Sequence, residues 1–233
     1  MSWLIEYTPL LLRGTLVTIL LAVAGTFGGF LLSLLFVNAK TQVIDEKRDN
    51  FWQRFSKKFF KGFATFYITI FRGTPMIVQA MILYYGIQAI TGWEFWTPLL
   101  AGFIIVILNT TAYIAEIIRG SVNAIDPGQM EAARSLGFSR KKAMYLIVFP
   151  QAIKNSLPSI GNEFIVNLKD SAVLSVIGLL DLFNATRQVV GKTYLAVAPY
   201  VVTAIIYLIL TSVTSLIVHK LENKQKKEVV SND

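Results

Sequence analysis

A chain of 233 residues and 26.0 kDa is long enough for one or two soluble domains. Its composition argues against that: 54% of residues are hydrophobic and only 15% are charged, against roughly 25% charged in an average globular domain, so a membrane protein is the first reading. There are no cysteines and one histidine, which excludes disulfides, thiolate catalysis, iron–sulfur clusters and cysteine-ligated zinc. The net charge of +8 would raise nucleic acid as a partner of a soluble protein. Here the basic residues lie between apolar runs, which fits an anionic membrane face as well.

In chain order, the first apolar run is 14–37, free of charge. As a helix it rises about 36 Å, enough for the hydrocarbon core with some tilt. It is too long for a signal peptide, carries Glu6 and Arg13 ahead of it, and ends at no clean small-residue cleavage site. The second run, 62–90, contains Arg72, Gly73 and Pro75, which imply an irregular backbone. The third, 97–118, holds Asn109 and Tyr113; Glu116 shares their helical face and stands three residues before Arg119. The last run is 196–218.

Residues 160–182 are the difficult stretch, because Glu163, Asn167, Lys169, Asp170 and Asp181 fall within them. Charge placement favours a span. Lys40, Lys47, Arg48, Arg54, Lys57, Lys58 and Lys61 lie between the first two runs; Arg119, Arg134, Arg140, Lys141, Lys142 and Lys154 follow the third; Lys220, Lys224, Lys226 and Lys227 form the tail. Five spans put all three groups on one side, as the positive-inside rule asks, with the N-terminus out and the C-terminus in. Short outer links are then expected near 91–96 and 184–195. Glu163, Asn167, Asp170 and Leu174 recur on one helical face, and polar groups at membrane depth face a bundle interior or a wet path. The competing reading is an amphipathic helix lying on the membrane, or acids that merely pair with Lys169.

Between the third and fourth spans, residues 119–159 make a connection too long to lack secondary structure. Pro127 starts a short helix through 129–136, Gly137 ends it in a left-handed cap, and Ser139 caps a second helix that Pro150 ends or bends. Ala132, Ala133 and Leu136 offer a small apolar surface. On physics alone, a docking knob and an ordinary surface hairpin are equally good readings.

These residues resemble a known family. Glu131-Ala132-Ala133, three residues, Gly137, nine residues and then Ile147-x-Phe149-Pro150 is similar to the EAA motif of bacterial ABC importer permeases, with Phe149 where leucine is usual. Arg72-Gly73-Thr74-Pro75 with Gln79, the stretch 112–120, Pro127-Gly128-Gln129, Pro150-Gln151-Ala152, Leu157-Pro158, Gly161-Asn162 and Leu168-Lys169-Asp170-Ser171 resemble the polar amino-acid permeases in particular, over roughly residues 10–218. Ser171 stands where that subfamily usually has threonine. The resemblance implies an all-α membrane protein of the type I ABC importer kind, one permease domain over 1–233 with five transmembrane helices and a cytoplasmic coupling loop, in the bacterial cell membrane. It implies a second permease subunit, identical or related, a cytoplasmic ABC ATPase dimer docked on Glu131, Ala132, Ala133, Leu136 and Gly137, and an external amino-acid-binding protein. It also implies that acids at Glu163 and Asp170 contribute to an amino-acid site near mid-membrane, which favours arginine or lysine; glutamine and cystine stay open.

The remaining expectations follow from what the residues are. No Gly-x-x-x-x-Gly-Lys-Ser/Thr loop and no His-Glu-x-x-His occur, so the chain is expected to be no enzyme, to hold no metal or cofactor, and to leave ATP to the partner ATPase. A membrane enzyme lacks a nucleophile–base pair, and a non-transporting adaptor leaves the acids of 160–182 without a purpose that offsets their cost in lipid. Asn167, Asn109 and Tyr113 are further substrate-path candidates beside Glu163 and Asp170. Arg72 is either a membrane-edge anchor or the partner of an acid in the bundle. The glycines of 25–29 are expected to serve close helix packing.

Overall fold

The computed structural model describes residues 2–42 and 49–230, without the side chains of Ser2 and of 224–230. Lys47 and Arg48 and the side chains of Lys224, Lys226 and Lys227 therefore lie outside the described residues. Among those described, every regular element is helical: α1 Ser2–Thr41, α2 Phe51–Gly73, α3 Met76–Thr91, α4 Pro98–Asn123, α5 Pro127–Ser135, α6 Arg140–Ala143, α7 Phe149–Asp170, α8 Leu182–Thr193 and α9 Ala198–Val230.

Helix α4 is the centre. Ala101, Ile105, Ala112, Ile114 and Ile118 are fully buried along it, between α1 and the α2–α3 pair, with α7 behind. Close approach of α1 depends on glycine. A Cβ on Gly25 would overlap Val106 Cγ1, and one on Gly29 would stand 3.1 Å from Thr110 Cβ and from the Thr111 nitrogen. Two backbones in lipid gain chiefly dispersion and hydrogen bonding from contact, so this small-residue stripe is what lets α1 lie along α4. The core falls into three clusters: Val37, Ile68, Ile114, Ile118 and Ile160 at one end, Leu21, Ala80, Ile105, Leu174 and Leu179 at the other, and Leu11, Leu182, Ala185 and Val189 where α1 meets α8. Outward faces stay apolar, with Leu12, Phe27, Leu35, Leu208 and Leu216 all exposed, as hydrocarbon requires.

Helices α1, α4 and α9 are each long and apolar enough to cross a membrane, and the α2–α3 pair joins them if counted as one span bent by 110°. The expected run 62–90 is therefore two helices broken around Gly73 and Pro75, the first starting at Phe51. The stretch 160–182 is not one helix either. α7 begins at Phe149 and ends at Asp170, a 3-10 turn covers Ser171–Ile177, and Gly178 ends it in a left-handed cap at φ +82°. Asp181, expected inside a span, instead caps α8, accepting from Asn184 N at 3.0 Å and Phe183 N at 3.2 Å. The outer link expected at 184–195 is mostly that helix.

Pro150 does not end the helical run begun after Ser139. The chain passes from α6 through a π-helical turn, Met144–Val148, into α7. A proline ring in an α-helix collides with the carbonyl four residues back, and the wider π turn opens that spacing. Gln151 Nε2 then donates to the Ile147 carbonyl at 2.9 Å.

Candidate functional site

At the α2–α3 break, Pro75 has no N–H to donate, which frees the Phe71 carbonyl. Gln79, 7% exposed, fills the gap: its Nε2 lies 2.9 Å from Phe71 O, 2.9 Å from Thr74 O and 2.8 Å from Thr74 Oγ1. Its Oε1 accepts from Asn109 Nδ2 at 2.8 Å, which fastens the break to the central helix. Asn109 is thus engaged within the fold.

Asn167 is also engaged. Thr110 Oγ1 donates to its Oδ1 at 2.9 Å, and its Nδ2 donates to Thr26 Oγ1 at 3.1 Å. One buried amide thereby ties α7 to α4 and α1, and the polar face of α7 divides into a structural position and two acids. Glu163 is half-buried, and Asp170 is exposed at the end of α7. Tyr113 is half-buried, with the Arg72 guanidinium 5.7 Å above its ring centre. Arg72 and Tyr113 thus meet each other, Glu163 and Asp170 share a face of α7, and Asn109 and Asn167 are hydrogen-bonded between helices.

Arg72 also meets an acid of the bundle. Glu116, whose side chain is 14% exposed, receives Lys40 Nζ at 2.6 Å, Arg119 at 2.8 Å and, more loosely, Arg72 at 3.7 Å. Three cations from α1, α2 and α4 converge on one carboxylate. The Arg119 pair was foreseeable from spacing; the Lys40 contact spans 76 positions in sequence and left no local signal.

In the hairpin, Asp126 caps α5 by accepting from Gly128 N at 2.7 Å, a role its place before Pro127 could have suggested. Gly137 stands at φ +85°, and Phe138 N reaches back to Ala133 O at 3.1 Å, closing the left-handed cap. Ser139 Oγ accepts from Lys142 N at 3.3 Å. Ala133 is buried, whereas Glu131, Ala132, Leu136 and Gly137 are exposed, Leu136 at 79%. Ala133 anchors the knob, and the other four are presented outward. α4 and α7 extend beyond the expected span ends, so the hairpin proper is shorter than 119–159.

An all-helical bundle with a broken span and this projecting hairpin is the fold of a transport permease. The model of the family described as "Binding-protein-dependent transport system inner membrane component" matches residues 51–227. The chain is 35% identical to the arginine transport system permease protein ArtQ of Bacillus subtilis, over 98% of this chain and 96% of that one. It is 32% identical to the glutamine transport system permease protein GlnP of Escherichia coli K12, over 94% of each. A crystal structure of an amino acid ABC transporter with histidines aligns at TM-score 0.84 and 38% identity, covering 95% of this chain and 96% of that one. The chain belongs to this family of inner membrane transport components. Its resemblance to polar amino-acid permeases of ABC importers, first carried by the EAA loop, holds over nearly the whole length, and it is a membrane component, not an enzyme.

Proposed function

We propose that this chain is the membrane-spanning permease subunit of an ATP-driven importer of a polar amino acid, with arginine or lysine as cargo. Family membership and full-length similarity to amino-acid permeases support the transporter class. The observation that carries the cargo is the pair Glu163 and Asp170, seven residues apart on one face of α7, the first half-buried and the second exposed. A free amino acid brings an α-carboxylate for Arg72 and an α-ammonium group for one acid. A cationic side chain satisfies the second acid, which a neutral side chain leaves without a counter-charge. Glutamine is the second reading, because the similarity to glutamine and arginine permeases is nearly equal; cystine is a third.

In this reading the polar face of α7 bearing Glu163 is half of a path completed by a second permease subunit, identical or related. ATP is consumed by a separate ATPase dimer that docks on Glu131, Ala132, Leu136 and Gly137, and an external binding protein delivers the amino acid. The chain lies in the bacterial cell membrane with five spans, the α7 segment being the fourth, its N-terminus outside and its C-terminus inside.

Uptake in proteoliposomes with the matching binding protein and ATPase tests the cargo. Loss of one charge-assisted contact is expected to lower arginine or lysine uptake by Glu163→Gln roughly tenfold or more, with assembly and basal ATP hydrolysis unchanged. Transport of neutral amino acids alone, or undiminished arginine and lysine uptake in the variant, rejects it. Orientation has its own test in this cysteine-free chain: Lys142→Cys and Lys220→Cys are expected to resist an impermeant thiol reagent in intact cells and to label after permeabilisation. Efficient labelling from outside sinks the five-span topology.

A further inference from the structure

The first half of α2 has no buried residue; burial along this helix begins at Ala64 and continues at Ile68. From there α2 is held to the bundle, with Tyr67 stacked on Phe36 at 4.3 Å and its hydroxyl donating to the Leu108 carbonyl at 2.6 Å. Before Ala64, the aromatic side chains of Phe51, Trp52, Phe55, Phe59, Phe60 and Phe63 are all more than half exposed. At 3.6 residues per turn they occupy about one half of the helix circumference, and Arg54, Lys57, Lys58 and Lys61 occupy the other.

Lys57 and Arg54 are turned toward the start of the helix, where Lys57 Nζ meets the Asp49 carboxylate at 2.6 Å and Arg54 Nε meets the Asp49 carbonyl at 2.8 Å. Among the described residues no carboxylate contacts Lys58 or Lys61. Beside the helix, an open cleft of about 470 Å³ runs between the end of α1 and the hairpin, its charged lining being Lys57 with its partner Asp49, and Arg140 and Lys141 of the hairpin. One cation of α2 and two of the coupling hairpin therefore border one groove, with one carboxylate among them.

We propose that Phe51–Gly62 of α2, with Arg140 and Lys141 across the cleft, binds the headgroups of anionic phospholipids. A second copy of the chain is a poorer occupant, because protein interfaces deplete lysine from their cores, whereas aromatic residues backed by a lysine stripe suit the headgroup boundary. The aromatic rings enter the acyl boundary, and Lys58 and Lys61 meet lipid phosphates. A lipid seated in the cleft touches both α2 and the element that in the permease reading engages the ATPase; that side of the membrane rests on the orientation proposed above, but lipid preference itself does not.

Trp52 reports the contact. Its fluorescence is isolated as the difference between the natural chain and Trp52→Phe, in nanodiscs containing brominated phosphatidylglycerol or brominated phosphatidylcholine at equal fractions. Both leaflets of a nanodisc have one composition, so a wrong orientation leaves this result unaltered. Quenching by the anionic lipid is expected to reflect a local enrichment of about fivefold or more, the effect of a lysine at an anionic surface. Lys58→Gln with Lys61→Gln is expected to remove the preference while quenching by phosphatidylcholine persists, which shows the helix still in place; Lys58→Arg with Lys61→Arg is expected to restore it. Equal quenching by the two lipids in the natural chain overturns the proposal. So does no quenching by either, the mark of a face covered by a second subunit, and so does loss of the preference on adding inorganic phosphate, the mark of a free-phosphate site.

Discussion

Gln79→Leu is expected to cost the permease about 2–3 kcal/mol of stability and to lower its melting temperature in detergent by several degrees. Leucine nearly matches glutamine in volume, so no large cavity forms and the loss is assignable to hydrogen bonds. The bond to Asn109 is the smaller part, since side-chain bonds between membrane helices average about 0.6 kcal/mol. The larger part comes from Phe71 O and Thr74 O, two carbonyls that both accept from the Gln79 amide at the helix break. Asn109→Ala alone is therefore expected to be milder, and the double variant to be less than additive because both changes delete one shared bond. An unchanged melting temperature for Gln79→Leu rules out this role.

What could be read from the chain was whatever its local chemistry dictates. The long helices α1, α4 and α9 are continuous apolar runs, and the hairpin is punctuated by Pro127, Gly137 and Ser139, each acting within a few residues of itself. The span around α7 is different. Its amphipathic face predicted shared orientation for Glu163, Asn167 and Asp170, but not that Thr26 and Thr110 would claim the asparagine from helices far away in sequence. Asn109 was likewise legible as inward-facing and not as the partner of Gln79. Irregular backbone at Pro75 was readable, whereas a bend of 110° is set by what the two halves pack against. The start of α2 was missed because residues 51–61 alternate aromatic and basic side chains and so fail an apolar criterion while forming a strongly amphipathic helix. α8 is hidden for a similar reason: Asp181 reads as a charge inside a span, although an aspartate ahead of Ala185 and Val189 at helical spacing is a start signal.

Gly137→Val is expected to uncouple the hairpin without expelling the protein from the membrane. Nothing lies within 4 Å of a Cβ placed on Gly137, so the substitution meets no steric wall. The cost is in the backbone: at φ +85° an L-residue pays about 1–2 kcal/mol, and β-branching adds to it. Relief requires giving up the left-handed cap, and with it the Phe138 N to Ala133 O bond that fixes the angle between α5 and α6. Leu136 and Ala132 would then be presented in the wrong direction, although Ala133 could stay buried. A hairpin outside the main core can shift this way while α1, α4 and α9 remain packed. Complex assembly, or substrate-stimulated ATP hydrolysis in the assembled transporter, is expected to fall roughly tenfold, as the loss of about 1.4 kcal/mol of docking energy requires. Gly137→Asn is the control that separates backbone from side-chain effects, since asparagine tolerates the left-handed region; it is expected to retain most of the coupling. Equal loss in both variants would place the requirement on the absence of a side chain, as at a surface where the ATPase approaches the backbone directly. Full coupling in Gly137→Val would show that the cap does not set the docking geometry.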